Sequence, residues 1–269
     1  MNRISNTFTI AALELRRAFT TRRGITVIVA FALIWGLLLR YGVVSASQWL
    51  ATGGNVIGSM FNSSTLRALL NWQVAEFAVF WVVSLYLFPM FCLVLAADQT
   101  STDRARGTLR LLTLHTTRGS VFMGRFLGLL FIQLLLLLLV VIATLVLVVM
   151  RDPALTKVAI ETAAMVFVNL ALLISAYTAA MALISVFAGS ARQATTWAII
   201  LWIAVGLIIF WASKYIPQAD LLRWILPGAH IKYLLQQNSW QSLQIAYVPV
   251  LQTAGLLIAG LFAMKARDL

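Results

Sequence analysis

Five arginines and two aspartates lie close together in one stretch of an otherwise apolar chain. From Thr102 to Gly128 the stretch reads "TDRARGTLRLLTLHTTRGSVFMGRFLG". The charged residues in and beside it are Asp98, Asp103, Arg104, Arg106, Arg110, Arg118 and Arg125. Arginine side chains offer several donors to a carboxylate partner, so the set is suited to docking another protein rather than to bond chemistry.

The leucine spacing inside this stretch predicts a short amphipathic helix. Ser101, Thr102 and Asp103 supply an N-cap and an acid that complements the helix dipole. Leu109 and Leu112 then share one helical face, and Gly107 permits a close approach or a break. A plain connecting loop with arginines is the alternative; it explains the charge but not the leucine spacing.

Residue patterns for catalysis or metal binding are missing from the sequence. No Gly-Lys pair occurs, so the chain has no P-loop for ATP, and neither H-E-x-x-H nor G-x-S-x-G is present. Cys92 is the single cysteine, and His115 and His230 are expected on opposite sides of a membrane. We therefore predict no catalytic residue, no metal ligand and no cofactor in this chain.

The composition places the protein in a membrane. The chain has 269 residues, of which 62% are hydrophobic and 10% charged, and its mean hydropathy is +0.94. Soluble domains average about 45–50% apolar and about 25% charged residues. The net charge of +12 does not indicate nucleic-acid binding, because no basic surface with interleaved aromatic residues lies outside the apolar segments.

Six segments are long and apolar enough to cross a bilayer, which takes about 20 residues each. They predict an all-α membrane protein with one transmembrane domain over residues 1–269. The spans are expected at 24–45, 72–97, 120–150, 158–189, 194–213 and 245–264, with a cytoplasmic loop at 98–119. Residues 214–244 are expected to form short extracytoplasmic helices before the last span.

The basic residues indicate the orientation of the chain. With the N-terminus inside, most of the 20 lysines and arginines face the cytoplasm, as the positive-inside rule requires. Both termini are then cytoplasmic in a multi-pass protein.

The first 23 residues predict a helix lying in the membrane interface. Phe8, Leu15 and Phe19 share one face with Ile4, Ala11 and Ala12. Glu14, Arg16 and Arg17 lie away from that face, where the arginines can reach lipid phosphates. A plain juxtamembrane tail is the alternative.

Two acids are placed near the outer ends of spans. Glu76 and Glu161 are expected to form structural ion pairs with Arg40, Arg67 or Lys157. Too few acids lie deeper in the membrane to predict a proton relay.

The polar stretch resembles the first cytoplasmic loop of permeases of the type-2 class of ATP-binding cassette (ABC) exporters. Such permeases carry an acid, a "GTLELL" sequence, a turn and then "GK-x-x-G". Here Asp103 precedes Gly107-Thr108-Leu109-Arg110-Leu111-Leu112, followed by Arg118-Gly119 and Gly124-Arg125-Phe126-Leu127-Gly128. Arg110 stands where the family has an acid. In size and loop plan the chain resembles permeases for multicopper-enzyme and nitrous-oxide-reductase maturation.

The resemblance implies a partner-driven exporter in a bacterial inner membrane. Two permease copies, or one copy with a paralogue, enclose a pathway, and separate ATPase subunits carry ATP and magnesium. The short amphipathic helix of the loop 98–119 is then a coupling helix, which seats in the ATPase together with the N-terminal helix. The pathway is expected along the second and fifth spans, with Phe77, Phe80, Trp81, Tyr86, Trp197 and Trp202 as candidate lining. Packing or lipid contact is the alternative for each ring.

Three alternatives to an exporting permease stay open. One is a mechanotransmitting permease that moves no cargo but drives a periplasmic protein. Another is a membrane scaffold without transport. The third, an intramembrane enzyme, requires a Ser/His, paired Asp or metal constellation that the spans lack.

Overall fold

A computed structural model describes residues 3–48, 72–101, 116–216 and 222–266, and all regular structure in these ranges is helical. The helices are α1 (Arg3–Thr20), α2 (Arg22–Leu37), α3 (Ala75–Leu95), α4 (Arg118–Arg151), α5 (Thr156–Phe187), α6 (Ala191–Tyr215), α7 (Ile231–Leu234) and α8 (Tyr247–Ala266).

Six helical segments of the described residues are long and apolar enough to span a bilayer. They run over Gly24–Gln48, Ala75–Asp98, Arg118–Arg151, Pro153–Phe187, Ala191–Tyr215 and Trp240–Ala266. The prediction of an all-α protein with six spans is confirmed. An apolar run of this length predicts a helix, because a single segment in lipid can pair all of its backbone N–H and C=O groups only as a helix.

The first span changes its helical geometry near its end. Thr21 caps α2, since its hydroxyl oxygen accepts a hydrogen bond from the Gly24 amide at 3.1 Å. After Leu37 the chain continues through a π-helical segment, Leu38–Val43, where the Val44 amide donates to the Leu39 carbonyl. This wider turn holds one residue more than an α-helix of the same length.

Helices α4 and α5 form the centre of the bundle. Helix α5 packs against α3, α4, α6 and α8. Small residues such as Ala159, Ala176, Ala179 and Ala182 are fully buried on it, which allows close helix approach. Helix α4 has 34 residues and is therefore about 51 Å long, well beyond the about 30 Å of hydrocarbon it must cross.

The bundle has two ends, which we name by their contents. The loop end holds α1, Gln99 and Thr117, which flank the segment 102–115. The far end holds Arg151 and residues 222–245, which include α7 and a 3₁₀ segment, Trp240–Ile245.

Candidate functional site

Most of the predicted coupling helix lies outside the described residues. This holds for Asp103, Arg104, Arg106, Gly107, Thr108, Leu109, Arg110 and Leu112. Their helical arrangement stays a prediction. Asp98 and Arg118, which flank the segment, are described, and they show how the chain enters and leaves it.

The residues directly before the segment are buried and hydrogen-bonded to α5. Gln99, Thr100 and Ser101 are at most 2% exposed. The Gln99 side-chain amide donates to the Thr178 carbonyl at 3.1 Å, and the Thr100 hydroxyl shares a 3.1 Å hydrogen bond with that of Ser185. The chain leaving α3 is therefore fixed to α5 before the loop begins.

Arg125 connects this anchor to two further elements. Its guanidinium group, buried on α4, donates to the Gln99 carbonyl. It also lies 3.8 Å from the Glu14 carboxylate of α1, which accepts from Arg17 at 3.0 Å. Charge-assisted hydrogen bonds are stronger than neutral ones. One arginine thus ties α1, α4 and the start of the loop together.

The segment ends in a capped helix start. The Thr117 hydroxyl accepts from the Ser120 amide at 3.2 Å and also bonds the Ser120 hydroxyl at 2.8 Å. Arg118 is half-buried in the first turn of α4. The described residues on either side of 102–115 are therefore hydrogen-bonded, Gln99 and Thr100 to α5 and Thr117 within the first turn of α4.

Helix α1 packs directly on α4 through two glycines. A Cβ at Gly124 would lie 2.7 Å from Ile10 Cβ and 2.8 Å from the Thr7 carbonyl oxygen. A Cβ at Gly128 would lie 2.8 Å from Glu14 Cβ. This G-x-x-x-G pair lets the two helix backbones approach closely.

The contact gives α1 a half-buried, packed face besides the face of Phe8 and Phe19. Glu14 does lie away from Phe8 and Phe19, but it points into the bundle, whereas those two rings are 64% and 50% exposed. Leu15 is half-buried against the core, and Arg16 is exposed. The placement of α1 in the membrane interface stays a prediction.

The aromatic residues expected along a pathway fall into different surroundings. Phe77, Phe80 and Trp81 have no exposed surface and pack in the core, which fits the packing alternative. Tyr86 and Trp197 face outward. The Trp202 ring stacks on Tyr177 with centroids 5.4 Å apart, and both line a cavity of about 450 Å³ together with Pro227 and Gly228.

Two titratable groups are buried toward the far end. Glu76 pairs with Arg151 at 2.7 Å, so its partner is not Arg40 or Lys157 as expected; Arg67 lies outside the described residues. The two ring nitrogens of His230 have no hydrogen-bond partner among the described residues. Burial lowers the pKa of His230 to about 4.

Six helices that are long and apolar enough to span a bilayer define a multi-pass membrane protein. A family model described as ABC-2 family transporter protein matches residues 8–265. The chain therefore belongs to the ABC-2 transporter family, and it is a permease-type membrane component of an ABC transporter. No curated protein matches the chain.

Proposed function

We propose that the chain is the permease subunit of an ABC exporter that a separate ATPase subunit drives from the loop end. The ATPase binds ATP and magnesium, and it seats residues 98–119 together with α1. Closure of the ATPase pair moves these elements, and the spans follow. Membership of the ABC-2 family supports association with such an ATPase.

The linkage through Arg125 is the observation that carries this proposal. Its hydrogen bond to the Gln99 carbonyl and its proximity to Glu14 connect the two elements that contact the ATPase to α4. Gln99 is also bonded to α5. A contiguous, buried set of contacts can transmit displacement, whereas a solvated loop would absorb it.

The charge of the loop indicates the chemistry of its partner. Arg104, Arg106 and Arg110 present positive charge on the predicted helix. A groove with acidic side chains on the ATPase complements them, and complementary charge sets the register of a complex.

The proposed assembly is a dimer in a bacterial inner membrane with both termini in the cytoplasm. Helices α6 and α8 carry long exposed apolar faces. Gly206 on α6 and Gly255 on α8 have open space where a Cβ would stand, so a second permease copy can approach closely there.

The test is reconstitution of the chain with its ATPase in proteoliposomes. Arg106→Glu should abolish co-purification and the permease-dependent ATP turnover, because it reverses a docking charge. Arg125→Gln should retain co-purification but lose coupling, since it cuts the linkage behind the docking surface. Arg192→Gln is the matched control, because Arg192 is an exposed arginine outside the linkage. Normal assembly and turnover in both Arg106→Glu and Arg125→Gln would disprove the proposal and favour a scaffold.

A mechanotransmitting permease is the second candidate, because the far-end segment is hydrogen-bonded to four spans. The side-chain donors are Trp81 to the Leu234 carbonyl, Asn169 to the Ser242 hydroxyl, Trp202 to the Pro227 carbonyl and Gln252 to the Trp224 and Leu226 carbonyls. Motion of the spans therefore moves this segment. ATP-dependent binding of a periplasmic protein without cargo release would favour this candidate over export.

A further inference from the structure

A cavity of about 470 Å³ lies at the loop end between α1, α2, α3 and α4. Its rim carries Glu14, Arg17, Asp98 and Arg125. Its walls are apolar, with Val27 and Ile28 from α2, Val94 from α3, and Leu129 and Ile132 from α4. Ligand pockets in proteins commonly measure about 300–1,000 Å³.

The cavity follows from the way α2 meets the bundle. The tight turn at Thr21 places Gly24 against α1, where a Cβ would lie 2.2 Å from the Ala18 carbonyl oxygen. Phe31 of α2 packs on Phe91 of α3 with the ring centroids 4.7 Å apart. Val27 and Ile28, one turn before Phe31, line the cavity.

An apolar space of this kind in a membrane protein favours an acyl chain as its filling. Water between the apolar walls would find few hydrogen-bond partners, because buried water needs polar groups on several sides. Arg125 lies two turns from the start of α4, and α4 is about 20 Å longer than the hydrocarbon it must cross, so we place the charged rim at the level of lipid head groups. Polar rim and apolar walls together fit an amphiphile rather than a soluble ion.

The rim also determines which head group fits. It holds two guanidinium groups and two carboxylates, so its formal charge is balanced. The Arg17 side chain is 58% exposed and can reach a ligand. A head group with both a phosphate and an ammonium matches such a rim, whereas a purely anionic head group would meet Glu14 and Asp98 unfavourably.

We propose that this cavity binds a zwitterionic glycerophospholipid of the phosphatidylethanolamine type. The phosphate lies at Arg17 and the ammonium group at the carboxylates, while one acyl chain follows the apolar walls. This inference does not depend on the proposed function, because binding is measured without ATP or a partner.

The experiment is a titration of the purified full chain with phosphatidylethanolamine or phosphatidylglycerol, read by native mass spectrometry. Arg17→Gln should weaken phosphatidylethanolamine binding about tenfold, because a hydrogen bond to a charged group is lost. Val27→Trp should abolish binding by filling the cavity. Arg16→Gln and Val29→Trp are the matched controls, since both positions are exposed and outside the cavity.

The proposal is overturned if the cavity variants bind like the controls, if phosphatidylglycerol binds more tightly, or if only detergent is retained. A second measurement does not depend on folding of the tryptophan variant. A phosphatidylethanolamine with a photoreactive acyl chain should label wild-type peptides containing Val27–Ile28 and Leu129–Ile132, and labelling elsewhere alone also refutes the site.

Discussion

Alanine at Gly128 is expected to push α1 away from α4. The new Cβ would lie 2.8 Å from Glu14 Cβ and 3.0 Å from the Ala11 carbonyl oxygen. Non-bonded carbon atoms prefer about 3.5–4.0 Å, so α1 must move outward by about 1 Å. The backbone oxygen cannot rotate aside as a side chain could, and the whole helix has to shift.

The magnitude follows from two opposing effects. Overpacking a tight contact costs about 1–3 kcal/mol. Replacing glycine by alanine inside a helix gains up to about 1 kcal/mol. At Gly128 the clash dominates, and we expect a net loss of about 1–2 kcal/mol. At Gly119 a Cβ meets only Leu261 Cδ2 at 3.5 Å, an ordinary contact, so Gly119→Ala should be neutral or stabilising.

Thermal unfolding in detergent and trypsin cleavage after Arg16 or Arg17 measure the two variants side by side. Gly128→Ala should unfold at a lower temperature and lose α1 to trypsin faster than the wild type. Gly119→Ala should match the wild type in both assays. Equal stability and equal cleavage of the two variants would refute the close packing of α1 on α4.

Three further predictions concern the far end of the bundle. The wild type should lose stability as the pH falls from about 6.5 towards 4, by up to about 1.4 kcal/mol per pH unit, because the unfolded chain protonates His230 while burial keeps it neutral in the fold. His230→Phe should flatten this dependence in pH-resolved melts, and an unchanged slope would contradict it. Arg151→Gln should cost about 2 kcal/mol or more by leaving buried Glu76 unpaired, and adding Glu76→Gln should recover part of the loss in a double-mutant cycle. Gly228→Ala should cost about 2 kcal/mol or more, because Gly228 has φ +90° and a Cβ would lie 2.2 Å from a tyrosine hydroxyl; Gly206→Ala, with open space, is its control in the same melts.

The six spans could be predicted from the sequence because apolar length alone decides whether a segment crosses a bilayer. A run such as "LLFIQLLLLLLVVIATLVLVVM" is too long and too apolar for any surroundings except lipid. The helix boundaries differ from the predicted span boundaries, because polar capping residues determine where a helix begins. Thr117 caps α4 and Ser190 caps α6, each by accepting a hydrogen bond from a backbone amide.

The docking of α1 on α4 could not be predicted from amphipathicity. The helical pattern of α1 shows the face of Phe8 and Phe19, and the structure leaves those rings exposed. The face that packs on α4 contains Glu14, and the amphipathic pattern predicts no partner for this carboxylate. Gly124 and Gly128 were the available signal, because their spacing on one helix face is typical of close helix contacts.

Ion pairs between residues far apart in the sequence could not be predicted from the sequence either. Two whole spans and the segment between them separate Arg151 from Glu76 in the sequence, and only the antiparallel arrangement of α3 and α4 brings them together. The polar residues Gln99 to Ser101 look like an ordinary solvated loop in sequence. Their burial follows from Arg125 and α5, which no local pattern reveals.

The π-helical segment Leu38–Val43 has a consequence for the first span. A π turn converts to α geometry by releasing a single residue, and the chain beyond it then rotates by about 100° about the helix axis. Val44 to Gln48 could therefore present a different side to their neighbours without unfolding the span. This segment separates the part of the first span that Phe31 and Trp35 fix from Val44–Gln48, and Val43 and Ser47 are the buried side chains that such a rotation would move.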